Sequence, residues 1–275
     1  MKKTICILTA CALLLAGCGG KDDAAAASSA PAEESFTIAE PAPGLRVSLE
    51  STAALGRTYV PESPLPREVT DMVAAPEEGI WRAAETADGR AALYGLNEDS
   101  VLVEWDGDVV MFDGWLFRTP RAIPPRMAIL PGWGDTLAIV LYGGSGTGVS
   151  IESLHLLTKD SAGAVTDHPL PERLYSEELA GCITVNTRAA ELTLGGLTLD
   201  LPQNREHPLT GEVVLGNIVG YTLSTDGRVQ IELGVEALCK DIPPTLNYVG
   251  FITADVVFHE DTHTYELERI ALGQY

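Results

Sequence analysis

Residues 136–157 read TLAIVLYGGSGTGVSIESLHLL: an apolar run, a glycine-rich loop and a second β-like run. Leu137-Ala138-Ile139-Val140-Leu141-Tyr142 is apolar at both parities, the pattern of a central strand covered on both faces. Beyond the glycines, Val149 and Ile151 alternate with Ser150 and Glu152, but Leu154 and Leu156 fall on the opposite parity. A bulge near Ser153, or a strand passing from one sheet to another, reconciles the two halves. The stretch therefore predicts a core hairpin with a mobile glycine tip. Gly144, Ser145, Gly146, Thr147 and Gly148 form its candidate partner loop, because backbone of such freedom is costly to order and loops carry function.

Turn chemistry elsewhere supports a β reading. Val101–Trp105 and Val109–Phe112 flank Asp106-Gly107-Asp108, and Ala87-Asp88-Gly89-Arg90 marks another turn. A Gly195-Gly196 turn sets Leu194 opposite Leu197 and Leu192 opposite Leu199, all on one face. Val219, Tyr221 and Leu223 share a face with Val229 and Ile231 if the connection has an odd length, which Thr225-Asp226-Gly227 provides. Two short helices are expected. One covers Leu65–Val73, where Val69, Met72 and Val73 have helical spacing and Pro66 suits a first turn; the other covers Leu174–Ala180, capped near Ser176. The fold class is mainly β, with antiparallel sheets forming a sandwich or a partial propeller and one or two short helices.

Acidic residues outnumber basic ones 39 to 18, a formal net charge of −21. Such a surface repels phosphate backbones, and no basic patch with interleaved aromatics is present, so nucleic-acid binding is excluded. The opening residues MKKTICILTACALLLAGC combine two lysines, an apolar run too short to span a bilayer, and small residues before Cys18. This resembles a bacterial lipoprotein signal with its lipobox. The resemblance implies that residues 1–17 are a signal peptide cut before Cys18, which is acylated with palmitate-type chains. Several chains on one residue anchor a protein durably. Gly19 stands where the family's inner-membrane retention signal has Asp. The destination is then the outer membrane where the host has one, and otherwise the outer face of the cell membrane. Residues 18–47, rich in Ala, Ser, Pro and acid, read as a flexible tether, and 48–275 as a single exported domain. Cys182 and Cys239 then remain in the exported domain, where a disulfide and two separately buried thiols both fit.

Several motifs invite a chemistry that their context denies. The glycine loop lacks the Walker lysine, runs into strand formers where a helix is needed, and has Val149 at the third glycine of the dinucleotide pattern. A nucleophile elbow fails because Thr147 stands where glycine is required. Asp106 and Asp108 lack the ligand spacing of a calcium loop. His259-Glu260-Asp261-Thr262-His263 matches the zinc motif H-E-x-x-H, but that chemistry needs a helix, and the flanking residues are β formers. Read as a hairpin, Phe258 faces Tyr265, Val256 faces Leu267, and the two histidines diverge. His155, His168 and His207 are scattered, and Trp105, Trp115 and Trp133 lie in or beside strands, where core packing is their expected role. No cofactor and no metal site is read from the chain.

At its centre the sequence also resembles a segment of exported bacterial lipoproteins of integrin-like FG-GAP or VCBS type. There an acidic, calcium-like loop precedes a strand that ends in a GSGTGV turn and is followed by a further strand. The matching residues are Leu137–Val140, Gly144–Val149 and Leu154-His155. The acidic loop is replaced by Leu130-Pro131-Gly132-Trp133-Gly134-Asp135, which keeps one carboxylate, and the unit occurs once where a propeller would repeat it. The resemblance implies no activity. The expectation is a lipid-anchored, non-catalytic binding or scaffolding module at the cell envelope, its partner an envelope protein or a small ligand. The alternative is a zinc-dependent hydrolase using the His259–His263 segment.

Overall fold

The fold is described from a computed structural model over residues 37–38, 40–76, 78–97, 99–115, 123–202, 206–242 and 247–274. The leader and Cys18 lie outside these residues. In chain order the strands are β1 (Thr37–Ile38), β2 (Val47–Glu50), β3 (Ala54–Leu55), β4 (Arg57–Thr58), β5 (Trp81–Glu85), β6 (Ala91–Gly95), β7 (Ser100–Trp105), β8 (Asp108–Asp113), β9 (Arg126–Ile129), β10 (Thr136–Gly146), β11 (Val149–Lys159), β12 (Val165–Pro169), β13 (Ile183–Asn186), β14 (Glu191–Leu194), β15 (Leu197–Asp200), β16 (Leu209–Val214), β17 (Ile218–Leu223), β18 (Val229–Cys239), β19 (Tyr248–His259) and β20 (Thr264–Gln274). One helix, α1 (Glu172–Gly181), lies between β12 and β13. The protein is mainly β.

The buried run of β10 organises the layers. Leu137, Ile139 and Leu141 enter a core shared with Trp105 and Phe112 of the five-stranded sheet β4-β8-β7-β6-β5 and with Trp115, which follows β8. Ala138 and Val140, one residue out of phase, enter a second core with Leu154, Leu156, Ile231 and Tyr265. Each such aliphatic side chain contributes about 2 kcal/mol relative to exposure, so a run apolar at both parities joins the layers. The large sheet runs β1-β20-β19-β18-β17-β11-β10-β9, with β2, β3, β12 and β16 paired off this path. Its ladders are antiparallel except at β11–β17, where Ser150↔Ile218 and Ile151↔Val219 pair in parallel. A third sheet, β13-β14-β15, and α1 cover the second core through Leu192, Leu194, Tyr175 and Leu179.

Local turn chemistry set the registers. Leu194↔Leu197 and Leu192↔Leu199 pair as expected, with Gly195 and Gly196 both at positive φ. Tyr221↔Ile231 and Leu223↔Val229 pair across a connection in which Gly227 has φ 87°. Phe258↔Tyr265 and Val256↔Leu267 pair around residues 260–263. Trp105↔Asp108 closes the Asp106-Gly107 turn.

Four expectations are corrected. The register irregularity of the central hairpin lies on β10, between Tyr142 and Gly144, while Ser153 pairs regularly with Leu141. Glu152 instead keeps the inward parity of Leu154, and its Oε2 accepts hydrogen bonds from Arg126 Nη2 (2.7 Å) and the Tyr221 amide (2.8 Å). The stretch 65–73 does not form the expected helix: Val69 bridges to Arg82 of β5, and Met72–Ala74 make a single 3-10 turn. Proline at 61, 64 and 66 denies the preceding chain the amides a helix needs. Ser176 lies inside α1, which begins after Pro171 without a side-chain cap; the buried pair Tyr175 and Leu179 holds it in place. The flexible tether does not extend to residue 47. Thr37–Ile38 pair with β20, and Ala42 donates its amide to Ile270 O.

Candidate functional site

The outer face of the five-stranded sheet carries Arg82, Ala92, Tyr94, Leu102, Glu104, Val109 and Met111, alternating with the residues that enter the core. Such a face is ordinarily solvated and polar. Here Ala92, Tyr94 and Leu102 are buried beneath Tyr59, Leu65 and Ile80, which the chain between β4 and β5 lays across the sheet. That chain reads Tyr59-Val60-Pro61-Glu62-Ser63-Pro64-Leu65-Pro66-Arg67. It is fastened at one end by the Tyr59 amide on Val109 O (2.9 Å). At the other, Arg82 Nη1 donates to Arg67 O and the Thr70 amide donates to Arg82 O. Among the described residues no hydrogen bond uses a backbone group of residues 60–66. Three prolines in six residues explain this, since each removes a donor and fixes an extended turn of chain.

Between this strap and the sheet lies an open cleft of about 680 Å³. Arg82, Tyr94, Glu104 and Val109 of the sheet face and Glu62 and Arg67 of the strap line it. Tyr94 donates its hydroxyl to Glu104 Oε2 at 2.7 Å. Burial, and then the Glu104 hydrogen bond and charge, raise the Tyr94 phenol, which stays protonated as a donor. The Arg82 guanidinium lies 6.0 Å from the Tyr94 ring centroid and pairs with Glu85 at 2.9 Å, while its Nε is sealed from solvent without a partner.

The glycine segment takes a different form from the expected mobile tip. Gly144, Ser145 and Gly146 pair with Ile151, Ser150 and Val149, so the turn is confined to Thr147 and Gly148. Tyr248 then donates its hydroxyl to Gly148 O. Burial, reinforced by the Glu236 charge, pushes that phenol up to about 12. A contact from a strand a hundred residues downstream has no signature in the glycine motif itself.

The remaining candidates are dispersed. Cys182 and Cys239 are free thiols, so the disulfide reading is corrected. Cys182 is exposed at the end of α1, and Cys239 Sγ, at the end of β18, accepts a hydrogen bond from Asn247 Nδ2. The H-E-x-x-H segment lies on the β19–β20 hairpin. His259 Nε2 is 3.4 Å from Glu266, whereas His263 stacks on His168 with centroids 5.2 Å apart. Among the described residues no group of three His, Cys, Asp or Glu is placed to hold a metal ion. Asp135 of the glycine-tryptophan loop meets Arg90 at 3.3 Å.

Sequence reading missed a buried polar pair. His155 Nδ1 lies 2.8 Å from Asp167 Oδ2, joining β11 to β12, and Trp115 stacks on the imidazole at 3.7 Å. Asp167 is 2% exposed, and a carboxylate so placed needs its partner. The next residue, His168, is 1% exposed and meets Thr158 Oγ1 through Nε2. Trp115 covers the first ring and the C-terminal hairpin covers the second, so both pairs act as polar staples.

Compared with family models, with curated proteins and with solved structures, the chain matches none.

Proposed function

We propose that this protein is an exported lipoprotein, anchored to the membrane through Cys18, whose β domain works by binding without catalysis. The cleft beneath the proline-rich strap is its ligand site. The observation that carries the reading is the open cleft of about 680 Å³ between the proline-rich strap and the sheet. The lipobox-like leader supports the envelope location, and the acidic surface suits a domain held in solution beside a membrane.

The anchor and the site are tested separately. Mass spectrometry of the protein from its native membrane should find acylated Cys18 as the first residue; an unmodified Cys18 would overturn the anchor. A photo-crosslinking amino acid in place of Ser63 should yield defined adducts in the native envelope, and one in place of Ser145 should not. Adducts from position 145 alone would move the site to the glycine hairpin.

A further inference from the structure

Resting on the reading of the cleft as a binding site, we infer that its ligand bears a cationic amine, with an ammonium group seated between Glu104 and the strap. The inference comes from which hydrogen-bonding groups are already spent. Arg82 is already paired: Nη2 with Glu85, Nη1 donating to Arg67 O, and Nε sealed from solvent. The Tyr94 hydroxyl proton is committed to Glu104 Oε2. The strap lacks amide protons at Pro61, Pro64 and Pro66, while the carbonyls of residues 60–66 accept no hydrogen bond among the described residues.

Unspent acceptors therefore dominate. Glu104 is half-buried, keeps Oε1 uncommitted, and has no Lys or Arg paired with it among the described residues. Glu62, exposed on the strap, lines the same cleft. An ammonium group presents three donors and no acceptor, which matches this inventory. A half-buried carboxylate gains more from such a partner than an exposed one, because less of the interaction is screened. The formal charge of −21 also draws cations toward the surface and raises their encounter rate. Among the described residues, exposed Arg67 is the one lining cation without a side-chain partner, and it is what an anionic ligand would seek.

The test is calorimetric titration of the full-length protein in nonionic detergent with spermidine, with 1,4-butanediol as an uncharged probe and with succinate as an anionic one. Spermidine is expected to bind saturably and the other two not. The variant Glu104→Gln should weaken spermidine about ten-fold, as expected for loss of a charged hydrogen bond. Glu191→Gln, on the distant β14, should leave it unchanged, and both variants should keep the wild-type circular dichroism spectrum. Binding of succinate or butanediol without spermidine, abolished by Tyr94→Ala, would overturn the amine assignment and leave the cleft as a binding site. Spermidine weakened equally by both glutamine variants would reduce its binding to general surface charge and overturn the assignment. Absence of binding by all three probes at millimolar concentration would overturn the amine assignment, and crosslinking from position 63 would then decide the cleft itself.

Discussion

The glycine hairpin at 143–148 and the proline strap at 60–66 exchange the roles their compositions suggest. Glycine is the freest residue, yet here it pairs in a ladder, and its turn is tied to Tyr248. Proline is the stiffest, yet the strap it builds is fastened at two ends and, among the described residues, carries no backbone hydrogen bond between them. Local stiffness and attachment to the rest of the fold are separate quantities. A segment is held by the hydrogen bonds and packing it makes, and proline lowers the first.

The largest expected difference is in stability. Ile139→Ala, in the buried stem of the hairpin, should cost about 3 kcal/mol in urea unfolding, the usual loss for a core Ile that leaves a cavity. A loss under 1 kcal/mol would show that β10 does not join the two cores. Within the glycine segment itself the effects should split. Gly148 has φ 67°, so Gly148→Ala should cost about 1–2 kcal/mol. Gly144 is in the ladder with open space around its Cβ position, and Gly144→Ala should stabilise by about 0.5 kcal/mol. Equal effects at both positions would mean that the ladder does not extend to the tip.

Acid offers a test that leaves both segments unsubstituted. Burial, and then the neighbouring His263, hold the His168 pKa below its ordinary 6.5, so the folded protein keeps this ring neutral where the unfolded chain takes up a proton. Stability should therefore be full above about pH 6.5 and fall as the pH drops below it, with a shallower fall in His168→Gln. An unchanged slope in the variant would remove His168 from the account. At the strap the expected effect on stability is the smallest. Pro64→Ala should cost less than about 1 kcal/mol, chiefly by loosening the unfolded chain. A cost near that of Ile139→Ala would make the strap part of the core.

Much of the fold was legible because its information is local. The pairings Leu194↔Leu197, Tyr221↔Ile231 and Phe258↔Tyr265 follow from turn residues and alternation within about ten positions of chain. The doubly apolar run at 137–141 likewise announced its two covered faces. What escaped depends on contacts distant in sequence. Val69, Met72 and Val73 have helical spacing, but Val69 answers to Arg82 and the prolines before it fix a strap. Glu152 has the look of a solvent residue and is held inward by Arg126 and Tyr221. The cleft draws on residues 61–67, 82, 94, 104 and 109, five separate segments, none of which carries a motif. Its readable trace was Ala91-Ala92-Leu93-Tyr94, apolar at both parities, which implies that something covers the outer face.

The most direct test of the strap as the binding element is amide hydrogen exchange of the full-length protein with and without saturating spermidine. The account predicts that Glu62, Ser63 and Leu65 exchange rapidly in the free protein and slow on binding, together with amides of β6 and β7, while Ser145 and Gly146 are unaffected. Slowing confined to 144–148, with the strap unaltered, would contradict it.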